Sequence, residues 1–231
     1  NERVCAATSG TLRQSWRNER GIAMNSLKIL KQIATENNGL ILTRDAVAGG
    51  VSRASLSFLC KEGRITRVSV GQYVLSEDAI DEMLSMGARS KAIIFSHESA
   101  LYLHGLLRED AQHLQSGIYK NALSQELMLA ITIPMSKTLS RFVNRQCKVY
   151  RVRDEWHELG KVHMPTAQGN LVWTYDMERT ICDIVRCRRR IAKEVFDFAL
   201  ERYVVRTEKD LGKLRDYAGK MRMERQVEKW V

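Results

Sequence analysis

The chain has 231 residues, of which 44% are hydrophobic and 28% charged, and its formal net charge is +10. These values suit a folded protein with enough apolar mass for two small cores, and they exclude a disordered or low-complexity chain. No apolar run approaches the roughly 18 residues of a membrane span. Nothing resembles the hydrophobic core of a signal peptide, so a cytoplasmic protein is expected and the basic excess points to polyanions rather than to membranes.

Residues 1–23 show no clear periodicity. The chain begins with Asn1, and its first methionine is Met24. Glu19-Arg20-Gly21 is a string that a purine-rich ribosome-binding site would encode if read through as protein. The expectation is therefore a natural start at Met24, with residues 1–23 a leader or flexible tail. An N-terminal arm that packs or touches a polyanion is the alternative.

Leu27, Leu30, Ile33 and Ala34 recur at helical spacing, and Asn37-Asn38-Gly39 ends that helix. Leu40-Ile41-Leu42 is a short apolar link. Thr43 is placed to cap a second helix, Arg44 to Ala48, and Gly49-Gly50 makes the turn after it. Ser52 caps a third helix that stops at Gly63, with Leu56, Leu59 and Cys60 on its packing stripe. Two short strands follow around a turn at Ser69-Val70-Gly71. Helix, short helix, Gly turn, capped helix and hairpin, in that order, are the pattern of a winged helix-turn-helix. Residues 26–75 carry seven basic and three acidic side chains, net +4. A phosphate-facing surface needs such an excess. Arg53, Ser55, Ser57 and Phe58 are the candidates to face base edges. Lys61, Arg64 and Arg67 are the candidates for phosphate or wing contacts. A winged helix used only for protein contacts is the competing reading.

Ser76 to Ala88 reads as a bridging helix with Ile80, Met83 and Leu84 inward. The expected division is thus 1–23, a DNA-binding domain over 24–90, and a C-terminal domain over 91–231. In the latter, Ser96 is expected to cap a helix ending at Gly105. Strands are expected at Leu127–Ile133, Cys147–Val152 and Gly169–Tyr175, and Asp176 is expected to cap the helix that follows. Helices near 191–203 and 209–230, the second broken near Gly219, complete an α+β chain: an N-terminal winged helix, then a mixed α/β domain with a helical C-terminus.

Chemistry-bearing residues are few. His97 and His104 lie seven apart, unlike the HExxH spacing of a zinc helix, and a structural role is favoured over metal. No P-loop, GxSxG or GxGxxG is present, and Ser116-Gly117 lacks the spaced acids of a nucleotidyltransferase. Asp154-Glu155 lacks the partner lysine of a metal-dependent nuclease. No enzyme, metal or cofactor is expected. The five cysteines include no CxxC pair, which suits a reducing compartment. Arg179 and Asp183 have intrahelical pair spacing and read as a salt-bridged helix surface or, alternatively, as a face for antitoxicity. Arg186, Arg188, Arg189 and Arg190 read either as a nucleic-acid surface or as a solvated helix end.

Several segments resemble one family. VSRASLSFLCKEGRITRVSVGQYVL, AIIFSHESALYLHGL, LAITIP, VYRVRDEWHELG, YDMERTICDIVRCRRRI and FDFALERYV follow the order of the AbiEi-type antitoxins of type IV (abortive-infection) toxin–antitoxin systems. They span nearly all of residues 26–225. Residues 1–23 have no counterpart, and Gln112–Gln125 is longer and more polar than the family pattern. The resemblance implies a protein with two tasks. Its winged helix would bind inverted repeats upstream of its own operon, paired half-sites often being read by dimers. Its second domain would oppose a nucleotidyltransferase-like toxin encoded next door, without needing to grip it. A winged-helix regulator that senses a small ligand, and a DNA-directed nuclease, are the alternatives from other functional classes.

Overall fold

The computed structural model describes residues 24–75, 81–107, 118–120 and 127–231, and it is a mixed α+β fold. The chain divides into two compact units between Ile80 and Asp81, ahead of the boundary expected at residue 90. The expectations for residues 1–23, the first part of the bridging helix and Ser116-Gly117 fall outside the described residues.

In the first unit, helix α1 runs over 24–36 and buries Leu30, Ile33 and Ala34, as its periodicity requires. Asn38 and Gly39 take φ values of 53° and 86°, and the Gly39 N–H closes on the Ala34 carbonyl at 2.7 Å. The apolar link is itself a strand, β1 (Leu40–Leu42), all three side chains buried. Helix α2 is Thr43–Ala48. Thr43 is its first residue and not its cap; its backbone N–H instead reaches the Gly71 carbonyl at 2.9 Å. Gly50, at φ +89°, turns the chain into α3 (Arg53–Lys61). The Ser52 hydroxyl accepts the Ser55 N–H at 3.0 Å, so that cap is as expected. Gly63 at φ +67° allows the Arg64 N–H to reach back to the Leu59 carbonyl at 2.9 Å, closing the helix end. Strands β2 (Ile65–Ser69) and β3 (Gln72–Leu75) then form a hairpin whose turn is only Val70-Gly71, because Ser69 pairs with Gln72. The register skips Val68, a bulge between Arg67 and Ser69. The sheet order is β1-β3-β2. Leu30, Ile33, Ile41, Ala46, Val51, Leu56, Leu59 and Ile65 share one core.

In the second unit the sheet runs β5-β6-β4-β9-β8, and β7 also pairs with β6, on the edge away from β4. These strands are β4 (Ile94–Phe95), β5 (Ile118–Lys120), β6 (Leu127–Pro134), β7 (Cys147–Val152), β8 (Lys161–Pro165) and β9 (Leu171–Tyr175). β4 is parallel to β9 and β7 to β6, and the remaining pairs are antiparallel. Residues alternate along β6. Leu129, Ile131 and Ile133 enter one core with Met83, Met86, Phe95 and Val143. Ala130 enters another with Tyr150, Trp156, Ile181, Ile184, Phe196 and Tyr217. Helices therefore cover both faces: α4 (Glu82–Gly87) and α6 (Arg141–Gln146) on the first, and α5 (His97–Leu103), α7 (Asp154–His157), α8 (Met177–Arg186), α9 (Lys193–Val204), α10 (Leu211–Lys220) and α11 (Glu224–Glu228) on the second.

Helix α4, expected as a bridge belonging to the first domain, thus packs in the second unit. Asp81 caps it, accepting the Leu84 N–H at 2.9 Å, and the same carboxylate holds Thr166 and Asn170 before β9. Ser96 stands at the start of α5 but does not cap it. Its hydroxyl is taken by Thr132, at 2.7 Å, and by the His97 ring, at 2.9 Å. The expected break near Gly219 comes just after Lys220, where Arg222 takes φ +54°.

Candidate nucleic-acid interface

Arg53, Ser57 and Lys61 are successive fourth residues of α3, so they form one stripe, and all three are exposed. Arg64 and Arg67, exposed at the start of the hairpin and on β2, extend this basic surface. Glu62 is the single acid between Ser52 and Val70. Two expected members are placed differently. The Ser55 hydroxyl lies 2.9 Å from that of Ser52, within the helix cap, and Phe58 is half-buried beside the core stripe. The Arg67 Nε donates to the Ser69 carbonyl at 3.3 Å, which holds this guanidinium along its own hairpin. Arg67 also lies beside Cys60, whose thiol is pushed up by burial against the opposing pull of that guanidinium. Val70, at the turn, is 76% exposed.

Glu178, Arg179 and Asp183, the charged residues of α8 before its last residue Arg186, are not a surface. Arg179 and Asp183 are buried, with Arg179 Nε 3.1 Å from Asp183 Oδ1. Arg179 Nη1 donates to the Trp156 and Leu159 carbonyls at 2.6 and 2.9 Å, and the guanidinium lies 4.3 Å above the Tyr175 ring. Burial pushes the Asp183 carboxyl up, while Arg179 pulls the other way. Asp176 caps α8 through the Arg179 N–H at 2.8 Å and also meets Tyr217 and Lys213 of α10. Glu178 accepts the Asp210 N–H at 3.0 Å. Every residue from Glu178 to Val185 is buried, because α5, α7, α10 and α11 surround this helix. Both the surface ion pair and the antitoxicity face expected at Arg179 and Asp183 are therefore corrected to an internal brace.

The basic run beyond α8 is exposed, on a 3₁₀ turn over Arg188–Arg190. Arg186 lies over Trp156 at 4.6 Å and bonds the Met221 carbonyl. Arg188 lies over Trp230 at 4.4 Å and Arg190 over Tyr150 at 4.1 Å. Arg189 makes no side-chain hydrogen bond, ion pair or ring contact among the described residues. Beneath them Lys148 pairs with Glu98 at 2.5 Å, and Tyr150 stacks on His97 with ring centroids 3.4 Å apart.

Sequence reasoning weighed His97 as a metal ligand and favoured an unspecified structural role. It is buried and takes φ +48°, a conformation costly for a residue with a side chain. Burial lowers its pKa well below 6.5, and Lys148, Arg179 and Arg190 add to that. His104 is engaged separately, by the Tyr175 carbonyl at 2.8 Å. Among the described residues no three His, Cys, Asp or Glu side chains gather as metal donors. Burial pushes the Cys147 and Cys182 thiols up to about 12, as for small apolar side chains. No helix among the described residues is long and apolar enough to cross a membrane.

No protein-family profile matches the chain, and no curated protein matches it either. Among solved structures it is similar to the RV2827C protein from Mycobacterium tuberculosis, with a TM-score of 0.53 at 12% identity, over 86% of this chain and 75% of that one. That likeness is one of fold.

Proposed function

We propose that the chain is a non-enzymatic, cytoplasmic DNA-binding autorepressor whose first unit is a winged helix-turn-helix, and that it serves as the antitoxin of a type IV abortive-infection system. One observation carries the DNA half of this reading. A Ser-capped helix, entered through the Gly49-Gly50 turn and followed at once by a hairpin, presents an exposed Arg53–Ser57–Lys61 stripe continued by Arg64 and Arg67. Small side chains on such a helix permit close approach to base edges, and the arginines reach guanine or phosphate. The antitoxin half rests on the resemblance of residues 26–225 to the AbiEi-type family. In it the second unit opposes a nucleotidyltransferase-like toxin without having to grip it.

The test is binding of the full chain to duplex DNA from upstream of its own gene, against a scrambled duplex, across a salt series. Tight binding that prefers the upstream sequence supports the repressor. Equal, purely salt-driven binding to both sinks it. Co-expression with a neighbouring nucleotidyltransferase gene tests the antitoxin half, and growth arrest that this chain fails to relieve would refute that half.

A further inference from the structure

We infer that the second unit carries its own contact for the phosphate backbone of duplex DNA, made by Arg186, Arg188, Arg189 and Arg190 around the end of α8. This goes beyond the reading of the first unit and does not depend on the recognition helix.

The run Arg186–Arg190 holds four arginines and no acid. All four are exposed. Two acids bear on the run from inside the fold: Asp183, which is buried and paired with Arg179, and Glu98, which is buried and paired with Lys148, while Lys148 itself donates to the Arg190 carbonyl at 2.5 Å. Each of these acids already answers another cation, so the four arginines leave a positive excess at this end of the unit.

Three of the guanidiniums are also held in place. Arg186, Arg188 and Arg190 rest on Trp156, Trp230 and Tyr150 at 4.6, 4.4 and 4.1 Å. Stacking occupies the face of a guanidinium and leaves its edge donors available. Each group has five N–H donors, and hydrogen bonds among the described residues use one apiece for Arg186 and Arg190. A side chain already fixed loses little further freedom on binding. Such a rigid set of donors gains most from an equally rigid row of anions. Duplex DNA presents phosphates in that form at high charge density, and a flexible single strand does not. Arg189 follows Arg188 and precedes Arg190 on a turn with three residues per revolution, and it makes no hydrogen bond, ion pair or ring contact among the described residues.

Arg189→Glu tests this, since the wild-type side chain makes no hydrogen bond, ion pair or ring contact among the described residues. Its thermal melting should match the wild type. The probe is a scrambled 30-base-pair duplex, titrated with the full chain at several salt concentrations. Arg189→Glu should weaken binding roughly five- to tenfold near 0.1 M salt and flatten the slope of log K against log salt by about one to two, while Arg189→Lys stays close to wild type. The preference for upstream over scrambled duplex should not change. An unaltered slope for Arg189→Glu overturns the inference, as does a loss seen only with a single-stranded RNA of equal length. Failure of the repressor reading is distinguishable, because it would appear as equal wild-type affinity for the two duplexes.

Discussion

Arg179 and Asp183 meet at 3.1 Å in the interior of the second unit, with 0% and 2% of their side chains exposed. Taking both charges out of water is costly. The cost is offset by their mutual attraction and by the Trp156 and Leu159 carbonyls that Arg179 also holds. Removing one partner strands the other. Arg179→Ala should therefore lower unfolding free energy by about 3–5 kcal/mol, whereas the double change Arg179→Met with Asp183→Leu should recover most of that loss. Urea denaturation of the three proteins decides it. A single variant as stable as wild type would show that the pair is not a brace.

Gly160 guards the same site from the other side. It takes φ +74°, and a Cβ built there would lie 2.6 Å from the Arg179 Cβ and 3.1 Å from its Cγ. Gly169 has a similar φ, +82°, but open space around it. Both alanine variants bear the left-handed backbone strain, about 1 kcal/mol. Gly160→Ala must in addition displace the base of α8 and should cost about 2–4 kcal/mol in all. Equal melting temperatures for Gly160→Ala and Gly169→Ala would mean that the helix shifts freely, against the packing described.

His97 makes stability depend on pH. Its native pKa lies well below the ordinary 6.5, so between those values the unfolded chain binds a proton that the native state refuses. Stability is then full above pH 6.5 and falls as the pH drops toward the native pKa, by up to about 1.4 kcal/mol per pH unit. Lys148, Arg179 and Arg190 all bear on the ring and oppose its protonation. His104, whose pKa burial also lowers, adds a slope of the same sign. His97→Asn tolerates the φ of +48° and removes the titration. Urea midpoints at pH 7.5, 6.5 and 5.5 should converge between variant and wild type as the pH falls. Parallel pH profiles would exclude His97 as a source of the slope.

How far the sequence revealed these features depends on how far apart the responsible residues lie. The first unit was legible because its signals are local: the apolar period of α1, Ser52 three residues before Ser55, and Gly63 at the end of α3. Asp176 was legible as a cap for the same reason. The Arg179–Asp183 spacing was visible too, but its burial was not. It depends on α7 some 20 residues upstream and on α10 some 30 downstream, and a helix enclosed on several sides carries charges where a surface helix would. Strand β8 was missed because Lys161 to Pro165 are at most half-buried, so its two faces give no apolar alternation. The fan of arginines could be read as a charge run. The rings that orient it come from Tyr150, Trp156 and Trp230, which nothing in the local sequence joins to it.

The exposed stripe of α3 separates residues that the sequence alone left together. If Arg53 reads a guanine, Arg53→Ala should lower affinity for the upstream duplex by about 1–3 kcal/mol and relax its preference over scrambled DNA. Arg67→Ala should weaken both duplexes alike and flatten the salt slope by about one. Ser55 and Ser57 should part company. The Ser55 hydroxyl belongs to the cap pair with Ser52, so Ser55→Ala should cost a few tenths of a kcal/mol in stability with little change in sequence preference. Ser57 is exposed on the stripe, and Ser57→Ala should leave stability alone while altering the preference. Binding titrations beside thermal melts read both axes at once. The reverse pattern, with Ser55→Ala changing preference and Ser57→Ala silent, would rotate the reading face of α3 away from Arg53 and toward the half-buried side that holds Phe58.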